Sequence, residues 1–154
     1  QKSIYLEAAY FVPDEHVIDQ LIAARKRGVE VIIIVPGPNN DSDVVDQASK
    51  ELWGALLKED IKIFQYLPAL FHCKVLIVDK LFVSVGSTNF DQQSFRLNDE
   101  ANLNILDKNF ADIQIKSFDS DLEKSKPITF AEWNNRSLYE KIMSRVSSWL
   151  STQL

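Results

Sequence analysis

Short apolar runs and helical stripes alternate along most of the 154 residues. Ile4 to Ala9 is compact, apolar and of strand length. Pro13-Asp14 opens a helix with Asp14 as N-cap, and Val17, Ile18, Leu21, Ile22 and Ala24 follow at helical spacing. Gly28 ends that helix as its C′ residue. Val29 to Val35 is a near-continuous β-branched run, which fits a strand covered on both faces. Strand, helix and strand in that order predict a right-handed βαβ unit.

Pro36-Gly37-Pro38-Asn39-Asn40-Asp41 is the clearest loop. It follows a strand's C-terminal end, where α/β proteins place ligands, although composition alone makes it an ordinary connection. Asp43 to Lys58 reads as a second helix, with Val44, Val45, Ala48, Leu52, Ala55 and Leu56 on one side. Ile61 to Tyr66 is a strand, and a further apolar strand ends near Val78. The chain turns at Lys80 and returns through Leu81 to Val85. Asn89 to Arg96 reads as a short helical or irregular turn, and Glu100 to Leu106 as an alternating strand. A helix from Asp107 to Lys124 presents Phe110, Ile113, Phe118 and Leu122, and Lys126-Pro127 breaks it. A last helix, 137–150, carries Leu138, Ile142, Met143, Val146, Trp149 and Leu150. Its polar side lacks the basic excess of interfacial helices, so the stripe reads as a docking face and not a membrane anchor.

The length suits one domain, and the apolar content supports a sizeable core. With 17 basic and 22 acidic residues the net charge is -5, which argues against a nucleic-acid partner. Cys73 is the only cysteine, so there is no internal disulfide and no zinc spacing. No run reaches transmembrane length, so this piece is expected to be soluble by itself. Gln1 in place of Met is expected of a fragment or a processed chain, and a trimmed chain would look the same.

The chemistry concentrates in Phe71-His72-Cys73-Lys74-Val75-Leu76-Ile77-Val78-Asp79 and the turn Gly86-Ser87-Thr88-Asn89. In a strand, His72 and Lys74 would share one face, and Cys73 and Val75 the other. An ammonium beside an imidazole suits a phosphate: one neutralises phosphoryl oxygens, the other attacks phosphorus or moves a proton. A Gly-Ser-x-Asn turn adds backbone, hydroxyl and amide donors. A single buried histidine or lysine is usually a plain structural residue. Five polar identities at fixed spacing are far more specific.

His72-x-Lys74-x4-Asp79 with Gly86-Ser87-x-Asn89 resembles the HKD motif of the phospholipase D superfamily. Tyr10-Phe11-Val12-Pro13-Asp14, the 23–31 segment, Asn89-Phe90-Asp91, the 94–100 segment and Trp133-Asn134-Asn135-Arg136-Ser137 resemble the C-terminal half of bacterial cardiolipin synthases. The resemblance implies an α/β/α sandwich, with a mixed central sheet flanked by helices. It implies one catalytic half-domain over 1–154, with 127–154 a C-terminal helical extension.

It further implies metal-free, cofactor-free transfer of a phosphatidyl group between phosphatidylglycerol molecules through a phosphohistidine. His72, Lys74, Asp79, Asn89 and Glu100 would form the catalytic set, with Ser87 joining His72, Lys74 and Asn89 around the phosphate. In two-motif relatives the C-terminal histidine is commonly assigned acid/base work. Glu100 would hold the far nitrogen of a catalytic imidazole, with Asp99 as its rival. The apolar neighbours of Asp79, and its facing opposite His72, favour a structural role for it. His16 reads as surface, and Cys73 as packing behind the motif.

Two departures matter. Gln92-Gln93-Ser94 stands where the synthases usually carry an arginine before the serine. Only one His-x-Lys motif is present, and the mechanism needs two histidines. The second is expected from an N-terminal HKD half of a longer, membrane-attached protein, or from a second copy about a two-fold axis. A homodimeric nuclease, a hydrolytic phospholipase D and a degenerate binding module are the alternatives.

Overall fold

The computed structural model describes residues 2–151. Gln1, residues 152–154 and the side chains of Leu150 and Ser151 lie outside the described residues, as do the expectations that touch them. The elements run β1 (Ser3–Ala8), β2 (Phe11–Val12), α1 (Glu15–Lys26), β3 (Glu30–Pro36), α2 (Asp43–Lys58), β4 (Lys62–Tyr66), β5 (Lys74–Val78) and β6 (Phe82–Gly86). They continue through β7 (Phe90–Asp91), α3 (Gln92–Arg96), β8 (Asn102–Leu106), α4 (Lys108–Glu123), β9 (Ser125–Ile128), α5 (Phe130–Asn134) and α6 (Leu138–Ser151).

Local chemistry sets these boundaries. Asp14 Oδ1 accepts from Val17 N at 3.0 Å and starts α1. Ser42 caps α2 and Asp107 caps α4 in the same way. Asp79 and Lys80 both take positive φ, 56° and 55°, in the three-residue connection 79–81 between β5 and β6.

Seven strands form one sheet in the order β8-β6-β5-β1-β3-β4-β9. β1, β3 and β4 are parallel, while β5, β6, β8 and β9 pair antiparallel to their neighbours. One face buries Leu6, Val31, Ile33 and Ile63 against Ile18 and Leu21 of α1 and Trp53 and Leu56 of α2. The other buries Tyr5, Ile34, Ile77 and Val83 against Ala111 and Phe118 of α4. The result is the expected α/β/α sandwich around a mixed sheet.

Three features depart from the sequence reading. A ribbon of β2 and β7 forms beside the main sheet, with Phe11 opposite Phe90. β9 is a strand and not only a break, so the segment from 127 begins inside the sheet. Pro127 is tolerated because β9 is an edge. On α4 the buried arc runs through Ala111 and Phe118, and Ile113 is exposed.

β8 is the opposite edge, with Leu103 and Leu106 exposed. α5 and α6 lie outside the sandwich on α2. A Cβ on Gly54 would lie 2.1 Å from Trp133 Cη2, so this helical glycine makes room for the indole of α5. Among the described residues, no helix is long and apolar enough to cross a membrane.

Glu7 on β1 is 4% exposed, and its Oε1 has no partner among the described residues. Burial, and then the Asp121 charge, push its carboxyl up to about 7. An acid whose folded pKa lies above its unfolded value costs stability as pH rises between the two. Wild-type stability should therefore fall from about pH 4.5 to about pH 7 relative to Glu7→Gln. The gap should reach at most about 3 kcal/mol at pH 8. Denaturant titrations of both proteins across that range check this, and parallel curves would refute it.

Candidate active site

Strand direction collects the candidate residues at one end of the sheet. β5 runs against β1, β6 against β5 and β8 against β6. The start of β5, the end of β6, the start of β8 and the end of β3 therefore lie together. His72 and Lys74 arrive on the first, Gly86 to Asn89 on the second, Glu100 on the third and the 37–42 loop on the fourth.

Lys74 is the first residue of β5, and it shares a face with Leu76, which packs toward α1 and α2. Cys73 and Val75 pack on the α4 side, as the alternation predicts. Burial first, and then the Glu7 and Asp121 charges, push the Cys73 thiol up to about 11, so it is unreactive. His72 does not belong to the strand. Beyond Ala9, whose N–H donates to Cys73 O at 2.8 Å, the chain peels away to pair with β7. His72 is left without a ladder partner and its side chain is 52% exposed.

Lys74 Nζ donates to His72 O at 3.2 Å, which holds the amine beside the residue that bears the imidazole. Burial lowers the Lys74 pKa, against a raising field that includes Asp41, Glu100 and Asp91. Asn89 makes no side-chain hydrogen bond among the described residues, and its Oδ1 is buried without a partner. The turn before it is closely packed: a Cβ on Gly86 would meet Ala101 O at 2.2 Å. Ser87 N donates to Ala101 O at 3.1 Å, and Ala101 N donates to Ser87 Oγ at 3.0 Å.

Glu100 sits in this turn and not on the ring. Its Oε1 accepts from Ser94 Oγ at 2.9 Å and from Asn98 Nδ2 at 3.5 Å. Hydrogen bonds from Ser87, then Ser94, hold its carboxyl below the usual range. The expectation that Glu100 steadies His72 is not met within this chain. β6 intervenes between β5 and β8, which separates those columns by about 10 Å.

The carboxylate near the ring is that of Asp41. Its Oδ2 lies 3.7 Å from His72 Nδ1 and accepts from Tyr10 Oη at 3.1 Å. The Tyr10 ring meets His72 edge-on, with centroids 5.9 Å apart. The loop is anchored by Asn39 Nδ2 on Leu67 O at 3.2 Å and by Ser42 N on Asn40 Oδ1 at 3.1 Å. Asp41 and Tyr10 escaped the sequence reading as site residues. The one usable signal was the position of the loop at a parallel strand's C-terminal end.

Asp79 is corrected. It follows the far end of β5, roughly 20 Å of strand from His72. There it accepts from Lys2 N, and from Ser3 N at 3.0 Å, which fixes the start of β1. Asp99 is exposed, and so is His16 on α1. Among the described residues, no group of three His, Cys, Asp or Glu side chains gathers as a metal-ligand set.

A family model described as "Cardiolipin synthase, PLD-like domain" matches residues 1–122. The cardiolipin synthase of Halalkalibacterium halodurans is 32% identical over 154 residues, which is 100% of this chain and 30% of that protein. That of Staphylococcus aureus is 36% identical over 151 residues, covering 98% of this chain and 30% of that protein. The chain thus spans about 30% of the length of the curated relatives it matches.

Among solved structures, Nuc from Salmonella typhimurium, a phospholipase D family member, superposes with a TM-score of 0.74 at 25% identity. That match covers 83% of this chain and 82% of Nuc. The phosphatidylserine synthase of Haemophilus influenzae shares the fold, with a TM-score of 0.76 at 14% identity over 99% of this chain and 40% of that one.

The geometry predicts that Asp41→Asn changes the ring of His72. The Asp41 carboxylate, 3.7 Å from Nδ1 and beyond hydrogen-bond reach, acts through its field, which favours the Nδ1–H tautomer of the neutral imidazole and leaves Nε2 free. The chain has two histidines, so ¹⁵N long-range NMR reads His72 with His16 as internal control. The variant should lose the tautomer bias at His72 alone. An unchanged His72 signal would remove Asp41 from the role.

Proposed function

Because the chain belongs to the PLD-like domain family of cardiolipin synthases, we propose that it is one catalytic half of a phospholipase D-type phosphatidyltransferase. The reaction moves a phosphatidyl group from one phosphatidylglycerol to another and releases glycerol. The observation that carries this reading is the juxtaposition of the exposed His72 side chain, the Lys74 amine on its carbonyl and the Asn89 amide at one sheet end.

One histidine nitrogen bonds to phosphorus as the bond from phosphorus to the glycerol oxygen breaks, and that oxygen takes a proton from a second histidine. The second histidine then removes a proton from the acceptor hydroxyl. The acceptor oxygen bonds to phosphorus and the phosphorus–nitrogen bond breaks. His72 is one of the pair. Lys74 and Asn89 face the phosphoryl oxygens as charge builds there, with Ser87 shaping the turn. Asp41 sets the His72 ring. Glu100, locked by Ser94 and Ser87, is an ordered carboxylate at the rim.

One motif supplies one histidine, so the partner is the other HKD half of a longer polypeptide, and the chain alone is inactive as a monomer. Water as acceptor would give a phospholipase D with phosphatidic acid as product. The match to most of the Nuc chain favours a second reading, in which two copies pair and act on another phosphodiester. Salt-sensitive DNA cleavage by the 154-residue chain would select it.

In the full-length protein, phosphatidylglycerol should yield cardiolipin and glycerol. His72→Ala should lower the rate by about 10²–10⁴-fold and Lys74→Ala by about 10²–10³-fold, with folding retained. EDTA should leave the rate unchanged. An active His72→Ala enzyme, or a strict divalent-metal requirement, would overturn the mechanism.

A further inference from the structure

α6 is docked with its apolar side outward. The arc that meets α2 carries Ser144 and Ser147, 0% and 4% exposed. Ser144 Oγ donates to Glu51 Oε2 at 3.0 Å, and Arg145 Nε lies 3.6 Å from Glu51 Oε1. At 100° per residue, Leu138, Tyr139, Ile142, Val146 and Trp149 fall within an arc of about 100° on the opposite side. All five are exposed, Tyr139 to 72% and Trp149 to 65%. An exposed apolar helix face of this kind marks an interaction surface.

Three observations say what covers it. Arg145 and Lys141 border one edge of the arc; Arg145 pairs with Glu51 but its side chain stays 80% exposed, and Glu140 is bonded to Ser137, so the outermost charges on that edge are basic. Tyr139 and Trp149, in the first and last turns, combine an apolar ring with a polar tip, the chemistry of a membrane–water boundary. Ser148 lines a groove of about 440 Å³ together with Gln92, Val12 and Pro13. The C-terminal turn of α6 therefore lies on the side where β2 and β7 meet the candidate site.

We propose that the outward arc of α6 docks on the surface of an anionic phospholipid bilayer. Ile142, Val146 and Trp149 enter the acyl boundary, and Lys141 and Arg145 meet the headgroups. The sparse basic charge on the polar side of the helix does not count against this. That side is occupied by α2, and only the rim charges face outward. The inference deepens the phosphatidyltransferase reading, because it brings the site to a substrate whose acyl chains stay in the bilayer. Its test needs no turnover.

The 154-residue chain is mixed with vesicles of phosphatidylglycerol and phosphatidylcholine, or of phosphatidylcholine alone, and binding is read by co-sedimentation and tryptophan emission. Binding should require the anionic lipid. The emission should shift to the blue, and Trp149→Phe should remove that shift. Ile142→Glu with Val146→Glu should weaken binding at least tenfold while the thermal melt stays unchanged, both positions being exposed. Lys141→Gln with Arg145→Gln should abolish the preference for anionic vesicles. No vesicle binding, or undiminished binding by the glutamate variant, overturns the proposal. So does a dimer that the same glutamates dissociate, which would assign the arc to a second copy. Glutamate-sensitive vesicle binding by the 154-residue chain, alongside a full-length protein that makes no cardiolipin, would keep the arc's role and refute the transferase reading.

Discussion

Placing β5 antiparallel beside β1 is the constraint on which the rest of the structure depends. A parallel β5 would carry the His72 end to the opposite rim, away from Tyr10 and the loop after β3. With β5 reversed, the backbone bond from Ala9 to Cys73 joins the end of one strand to the beginning of the other. Because β6 and β8 alternate in turn, the Gly86 turn and Glu100 return to the same rim. The apolar faces of β1 and β3 hold this arrangement in place from both sides of the sheet.

Much of this was legible in the sequence where local physics decides. The Asp14 cap and both ends of α2 follow from short-range signals, and the structure agrees. The motif residues His72, Lys74, Ser87 and Asn89 were identifiable because their spacing is unusual. Asp41 was not, because its place beside His72 depends on how two strands far apart in sequence end at the same rim. Glu100 was assigned to the imidazole by likeness, and strand order within one chain keeps it away. Asp79 belongs to the motif pattern, yet its position at the other end of a five-residue strand makes it a clasp for β1. β9 was missed because its proline resembles a break, which only an edge position makes compatible with pairing.

Around Lys74 the fields of Asp41, Asp91 and Glu100 all favour the ammonium, while partial burial opposes it. Lys74 is thus the one amine in a field of three carboxylates at this rim, among the described residues.

The two borders of the sheet are unequal. Pro127 and Lys126 blunt β9, whereas β8 ends the sheet with a five-residue row bearing bare leucines and no proline. At the concentrations used for crystallisation or NMR, that bare row is the natural seed for intermolecular ladders. A lysine placed on it would act as a gatekeeper that keeps preparations of the chain dispersed without touching the candidate site.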